Sequence, residues 1–277
     1  MFILSQWIFG IIIFFTGLAV GSFLNVIVLR NPLRKGAQGG TPWKGRSSCV
    51  SCEKTLAWYD LAPLVSFLYL KGRCRYCGAK ISLQYPLVEI VTGGIFLLLF
   101  LKLSHSLADF FSWLILCSLF LLVAIFDILY KRIPVNLLLI ILCAGLFFVG
   151  LPFLSTKLFS FNFFWQLPQE IPTLFFSGFI NGAFILFLVV VTKERGMGMG
   201  DVPIAFLQGL LLGYPKGFVA LFLSFIIGSV FGVSLIVLGK AGLKSQVPFA
   251  PFLIISLFIV KFFSIPSLIH NSLFIIQ

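Results

Sequence analysis

The chain has 277 residues, of which 60% are hydrophobic and only 10% are charged, and its mean hydropathy is +1.12. Soluble globular domains carry about 25% charged residues, so this composition excludes a soluble enzyme and indicates a polytopic membrane protein. The net charge of +12 could suggest a nucleic-acid partner. The cations cluster in connecting loops, however, which favours a role in membrane orientation and predicts no nucleic-acid partner.

Eight apolar runs account for most of the chain. They cover about residues 7–29, 86–103, 109–130, 133–152, 172–192, 201–213, 217–239 and 248–270. We therefore predict an all-α polytopic membrane protein with about eight transmembrane helices. The long polar gap after the first run divides the chain into a first transmembrane helix (1–30), a loop (31–83) and a transmembrane bundle (84–277).

Charge asymmetry predicts how these helices are oriented. The loop over 31–83 contains nine Lys or Arg residues against two acids, Glu53 and Asp60. This excess predicts a cytoplasmic loop and an N-terminus outside. The ends of the third, fifth and seventh runs then also face the cytoplasm, and each carries cations: Lys131 and Arg132, Lys193 and Arg195, Lys240 and Lys244.

Inside the loop, the apolar stretch Leu56–Leu70 is too short to span a membrane and contains Asp60 and Pro63. Such a segment is expected to lie in the membrane interface or to fold back on the protein.

The same loop contains two C-x-x-C pairs. Cys49 and Cys52 form the first, and Cys74 and Cys77 form the second. Four thiolates at this spacing suit one tetrahedral Zn²⁺ ion, and a cytoplasmic location argues against disulfides. Because sulfur would fill all four positions, we predict a structural zinc site in a zinc-ribbon-like loop.

Only eight acids occur in the chain, and two of them fall at the cytoplasmic ends of apolar runs. Asp127 lies near the end of the third run, and Asp201 lies at the start of the sixth, directly after a glycine-rich turn that contains Gly198 and Gly200. A carboxyl group at this depth requires a partner. Two neighbouring carboxyl groups can share one proton, activate water and polarise a carbonyl, which is the chemistry of an aspartic protease.

Other interpretations of these acids remain open at this stage. The two aspartates could form a structural pair neutralised by nearby cations. Glu89 faces the same side of the membrane, and it either tunes the pair or accepts hydrogen bonds from the loop. Zinc-protease and Ser–His chemistry fit less well, because the only histidines, His105 and His270, are predicted on the outer side and no H-E-x-x-H motif occurs.

Taken together, these motifs resemble the prepilin peptidases, the type IV leader peptidases of bacteria, over nearly the whole chain. The matching segments are Gly21–Val26 with Arg30, the four-cysteine loop with Trp58, Tyr59, Asp60 and Pro63, Tyr85-Pro86-x-x-Glu89, Asp127 before Ile133-Pro134, and Gly198-x-Gly200-Asp201. The resemblance implies catalysis by Asp127 and Asp201.

The resemblance also implies a substrate and a second activity. The substrates are prepilins or pseudopilins of type IV pilus and type II secretion systems, cut at the cytoplasmic face of the bacterial inner membrane. Family members with the four-cysteine loop usually also methylate the new N-terminal residue with S-adenosylmethionine, and no residue here stands out as the methyl-donor site. Membrane lipid is the other expected partner, and the oligomeric state is left open.

Two positions depart from the family pattern. Pro203 stands where the family commonly has lysine, and Ala250 stands where it has the glycine of Pro-Phe-Gly-Pro. A proline in the first turn of a helix is geometrically acceptable. Two alternative functions are a membrane carrier, because intramembrane acids also mark transport paths, and a zinc-ribbon assembly factor with structural acids.

Overall fold

The computed structural model describes residues 2–30, 46–157, 170–194, 196–240, 242 and 247–263. Regular structure in these ranges is helical, with two isolated β-bridges and no strand. The helices are α1 (Phe2–Leu29), a 3-10 helix (Trp58–Leu61), α2 (Val65–Tyr69), α3 (Gln84–Leu103), α4 (Leu107–Tyr130), α5 (Val135–Lys157), α6 (Glu170–Thr192), α7 (Asp201–Leu212), α8 (Lys216–Val237) and α9 (Ala250–Phe262).

Each of the eight predicted apolar runs coincides with a helix. Among the described residues, α1, α3, α4, α6 and α8 are long and apolar enough to cross a membrane, and α5, α7 and α9 contain shorter apolar stretches. An all-helical, multi-pass membrane protein is therefore confirmed. Part of what the sequence analysis used lies outside the described residues. This part comprises Arg34, Lys35, Lys44, Arg195, Lys244, His270 and the end of the last run after residue 263.

The chain divides within α4 into two compact units, Met1–Leu122 and Val123–Gln277. In the first unit α1 packs along α3 at very short range. A Cβ atom at Gly17 would lie 2.7 Å from the Cα atom of Gly93, and one at Gly21 would lie 2.9 Å from the Cα atom of Glu89. Small residues allow this close backbone approach, which is a common way for helices to associate in lipid.

The apolar stretch of the loop forms two short helical turns that contact each other, the 3-10 helix and α2. Val65, Leu68 and Tyr69 are 59%, 66% and 75% exposed. Their spacing places them on one side of the turn. This exposed apolar face is the part of the loop that we expect at the membrane interface.

In the second unit, α7 occupies the centre and packs against α5, α6, α8 and α9. The helix is only 12 residues long, yet Ile204, Ala205, Leu207 and Leu210 are at most 1% exposed. A helix that is apolar on most of its surface is buried by its neighbours. The start of α7 is thereby held in a fixed position against the surrounding helices.

Candidate active site and metal centre

Asp127 lies in the last turn of α4 and is 8% exposed. Its Oδ2 atom accepts a hydrogen bond of 3.1 Å from the main-chain N–H of Ala250, the first residue of α9. The first N–H groups of a helix have no partner inside the helix and carry a partial positive charge, so they stabilise a nearby carboxylate. The N-terminus of α9 thus holds the Asp127 carboxyl group.

Asp201 is the first residue of α7 and is 5% exposed. Its Oδ2 atom accepts a hydrogen bond of 3.1 Å from the N–H of Gly198, and its own N–H donates to the Gly198 carbonyl oxygen at 3.0 Å. These two hydrogen bonds between Gly198 and Asp201 close the turn that leads into α7. Pro203 falls in the first turn of the helix, where proline is tolerated.

Gly198 and Gly200 do not have the positive φ angles that glycine tolerates better than other residues. Among the described glycines, positive φ angles occur at Gly72, Gly78, Gly213 and Gly239. Gly200 instead packs tightly, since a Cβ atom there would lie 3.2 Å from the Cδ1 atom of Ile133. At Gly198 an added Cβ atom would meet no atom closer than 3.9 Å. The turn therefore has space for a Cβ atom at Gly198 but not at Gly200 without a shift of Ile133.

The Asp127 and Asp201 carboxyl groups interact electrostatically with each other. They belong to the same compact unit, although 74 positions separate them in the numbering of the chain (201 − 127). Among the described residues, the hydrogen bonds to these carboxyl groups go to their Oδ2 atoms.

Glu89 has a partner in the loop. It is 6% exposed, and one of its oxygens accepts a 2.8 Å hydrogen bond from the N–H of Leu64, the residue that precedes α2. The Ser22 hydroxyl also hydrogen-bonds to this carboxyl group. Glu89 therefore connects α1, α3 and the loop, which agrees with the hydrogen-bonding role considered for it.

Asp60 is also engaged within the loop. It forms an ion pair of 2.7 Å with Arg75 and accepts further hydrogen bonds from Tyr76 and the Ala57 N–H. The hydrogen bond that Arg75 donates to Asp60 raises the pKa of Arg75. Asp60 and Glu89 thus both have partners within the first unit.

The four loop cysteines come together in the first unit. Their Sγ atoms all lie within 4.8 Å of one another, an arrangement that could hold a metal ion. Each C-x-x-C pair is held in the same way, because the N–H of Cys49 bonds to the Lys54 carbonyl and the N–H of Cys74 bonds to the Ala79 carbonyl. The two segments therefore fold as equivalent knuckles.

The thiols of this cluster differ in acidity. The N–H groups of Cys52 and Ser51 lower the pKa of Cys49 to about 6. The Ala79 N–H lowers the pKa of Cys77, but partial desolvation and hydrogen bonds with the neighbouring thiols outweigh this effect and raise the pKa to about 11. A cation bound among the four sulfur atoms would favour the ionised form of these thiols.

Two residues, one that contacts the site and one that joins its helices, were not singled out from the sequence. Ala250 was noted only as a departure from a family motif, although its N–H reaches Asp127. Gln208 is completely buried in α7 and bonds to α9. A glutamine in an otherwise apolar run was the signal that could have identified it, because a polar side chain in such a helix requires a partner.

Comparison with known proteins matches both halves of the chain. The model of the bacterial peptidase A24 N-terminal domain matches residues 15–103, which include the four cysteines and Glu89. The model of the type IV leader peptidase family matches residues 114–233, which include both aspartates. No solved structure matches the chain.

Three similar proteins all bear the name prepilin leader peptidase/N-methyltransferase. The protein of Bacillus subtilis (strain 168) is 33% identical over 243 residues, covering 87% of this chain and 88% of that protein. The Klebsiella pneumoniae protein is 40% identical over 143 residues, 51% of this chain and 62% of that protein. The Aeromonas salmonicida (strain A449) protein is 28% identical over 283 residues, 90% of this chain and 89% of that protein.

Proposed function

Because this chain belongs to the type IV leader peptidase family, we propose that Asp127 and Asp201 are the catalytic pair with which it removes the leader peptide from prepilins or pseudopilins. The family and the relatives make it a prepilin-processing protease, so the carrier and assembly-factor alternatives lose their basis. The observation that supports the residue assignment is the electrostatic repulsion between two buried aspartates of one compact unit, each held by one main-chain N–H.

The geometry supports a general acid–base mechanism. Two adjacent buried carboxylates repel each other, so the favoured state of the pair carries a single negative charge and one proton. The ionised carboxylate takes a proton from water, whose oxygen attacks the carbonyl carbon of the scissile bond. The protonated partner donates its hydrogen bond to the carbonyl oxygen. As the C–N bond breaks, the carboxyl group that took the proton from water gives it to the leaving amine.

The site's position supports cleavage at the cytoplasmic face of the bacterial inner membrane. Asp127 lies at the end of α4 and Asp201 at the start of α7. Cations follow the ends of α4, α6 and α8, at Lys131, Lys193 and Lys240. By the positive-inside rule these ends face the cytoplasm. The apolar part of a prepilin would lie beside the helices, with its scissile bond at the level of the two aspartates.

The four cysteines fit one structural zinc ion. A tetrahedral site with Zn–S bonds of about 2.3 Å has sulfur atoms about 3.8 Å apart. The Sγ atoms of Cys49 and Cys77 are 3.8 Å apart. Cys49, Cys52, Cys74 and Cys77 would hold the ion and leave no open position for catalysis, so its role is to stabilise the loop.

Methylation of the new N-terminal amine by S-adenosylmethionine is the second proposed activity. The names of the relatives, which include N-methyltransferase, support it. Residues that bind the methyl donor are not assigned.

The test is the intact mass of a prepilin that is co-expressed with the enzyme. The wild type is expected to remove the leader mass and to add the mass of one methyl group. Asp127→Asn and Asp201→Asn should each leave the prepilin uncut. Asp109→Asn is the matched control, because Asp109 is an exposed acid on the same helix as Asp127. Normal cleavage by either aspartate variant would contradict the assignment.

A further inference from the structure

Gln208 is a fully buried polar side chain in the middle of α7. Its Nε2 atom donates hydrogen bonds to the main-chain oxygen of Leu253 at 3.0 Å and to the Oγ atom of Ser256 at 2.8 Å, both in α9. The Leu253 carbonyl can only accept, so the amide nitrogen is the atom that faces α9. One side chain thus joins two helices by two hydrogen bonds.

Gln208 lies on the same face of α7 as Asp201. It follows Asp201 by seven residues, which is almost two full helical turns and about 10.5 Å along the axis. α9 carries the corresponding contact to the other carboxyl group, because the N–H of Ala250 donates to Asp127 at 3.1 Å. Leu253 follows Ala250 by three residues, less than one turn further along the same helix.

We propose that Gln208 is a positioning residue for the catalytic pair: its amide holds α7 against α9, and so sets the separation of the Asp201 and Asp127 carboxyl groups. Asp201 and Gln208 move together because they share α7, and Ala250 and Leu253 move together because they share α9. A slide or rotation of one helix against the other would break the amide bonds and also change the distance between the carboxyl groups. The proposal rests on the catalytic role of the aspartates given above.

Other buried contacts of α7 are less suited to this task. The side chains around it are mostly apolar, and apolar contacts are not directional. Aliphatic residues such as Ile204 and Leu207 therefore hold α7 by shape alone, without a preferred bond angle to a neighbouring helix. The two hydrogen bonds of Gln208 have preferred distances and angles. In the described part of the unit, these two hydrogen bonds fix the position of α7 relative to α9 in a way that apolar packing does not.

The chain offers a matched control in Asn181. This residue is also completely buried, and its Nδ2 atom donates to the main-chain oxygen of Gly217 at 3.0 Å. It joins α6 to α8, and neither helix carries one of the two aspartates. Replacing either amide by an apolar side chain of similar size removes interhelical hydrogen bonds of the same kind, two at Gln208 and one at Asn181.

The experiment compares cleavage of a purified prepilin by the wild type and by Gln208→Met, Ser256→Ala and Asn181→Leu. Displacement of reacting groups by about 1 Å costs on the order of 100-fold in rate. We expect Gln208→Met to lower kcat at least tenfold, to leave KM within about twofold and to shift the pH profile of kcat. Ser256→Ala removes one of the two bonds and should have a smaller effect in the same direction.

Asn181→Leu is expected to keep the wild-type pH profile. Methylation of a pre-cleaved pilin peptide serves as the measure of folding, and if Gln208→Met does not fold, Ser256→Ala decides the question. Unchanged kcat and pH profile in a folded Gln208→Met protein would overturn the proposal, as would equal shifts in Gln208→Met and Asn181→Leu.

A wild type that cuts no prepilin would contradict the proposed function instead. The proposal is then tested by the infrared band of the protonated carboxyl group in the same proteins. This band reports the hydrogen bonding of the aspartate pair without catalysis. It should shift in Gln208→Met and remain in place in Asn181→Leu, and an unshifted band in Gln208→Met would overturn the positioning role.

Discussion

At the scale of single residues, the site depends on main-chain donors that hold two acids. Ala250 and Gly198 each donate one N–H to an aspartate, and both are at or near the start of a helix. This arrangement explains why the departure from glycine at residue 250 is tolerated. The donor is the backbone, and an alanine presents its N–H as well as a glycine does.

The hydrogen bond from the Ala250 N–H makes it possible to distinguish a structural role of Asp127 from a catalytic one. Asp127→Asn retains an oxygen that accepts from the Ala250 N–H, whereas Asp127→Ala leaves that N–H buried without a partner. Such a loss costs about 1–3 kcal/mol. We expect Asp127→Ala to unfold at a lower temperature than Asp127→Asn in thermal denaturation in detergent, with both variants inactive. Equal stability of the two variants would argue that the contact contributes nothing.

The two cysteine knuckles differ in backbone strain at one residue. Glu53 and Gly78 occupy equivalent positions, one residue after the second cysteine of each pair, and both have positive φ angles of 56° and 70°. Glycine adopts this conformation freely, but other residues pay about 1 kcal/mol or more. The first knuckle therefore carries a strain that the second avoids.

At the scale of helices, glycine contacts decide how closely α1 and α3 pack. The backbone of α3 lies directly against Gly17 of α1. A Cβ atom added at Gly17 would lie 2.7 Å from the Cα atom of Gly93. Gly94, the next residue of α3, has no atom within 4 Å of an added Cβ. Neighbouring glycines on one helix thus have opposite packing roles.

This difference yields a paired prediction. Gly17→Ala should destabilise the protein by about 1–3 kcal/mol, since the backbones must move apart. Gly94→Ala should be neutral or stabilising by up to about 1 kcal/mol, because alanine is the better helix former. Thermal unfolding of both variants in one detergent measures the contrast. A Gly94→Ala protein as unstable as Gly17→Ala would show that the glycine contact is not the cause.

At the scale of the whole molecule, the four-cysteine cluster and the aspartate pair lie in different compact units. The cysteines belong to Met1–Leu122, and both aspartates belong to Val123–Gln277. The loop is tied to its own unit through Glu89 and Leu64. We therefore expect that cleavage by the aspartate pair in the second unit can be lost without loss of metal from the cysteines of the first unit.

We expect Cys74→Ser to lose bound zinc, because a hydroxyl group does not replace a thiolate ligand. Asp201→Asn should lose cleavage and keep its zinc. Cys143→Ser is the control for the cysteine variant, since Cys143 is an exposed residue of α5 outside the cluster. Metal analysis of the purified proteins, together with prepilin cleavage, provides the measurement. Loss of zinc from Asp201→Asn would contradict this separation.

The sequence by itself determined the membrane class, the helices and the motifs. Long apolar runs leave few alternatives to helices in lipid, since every main-chain polar group must be satisfied within the segment. The four cysteines were also predictable, because their spacing within one loop is local. The two aspartates were identified as candidates because an acid at the end of an apolar run is costly without a function.

Only the tertiary structure decided which groups surround those acids. The Ala250 N–H is 123 positions from Asp127, and the partners of Gln208 are 45 and 48 positions away. Contacts over such separations depend on how helices pack, and helical periodicity within one segment does not encode which neighbour a polar side chain meets. The glycines of the turn before Asp201 illustrate the same limit, because their role is packing space and not an unusual backbone angle.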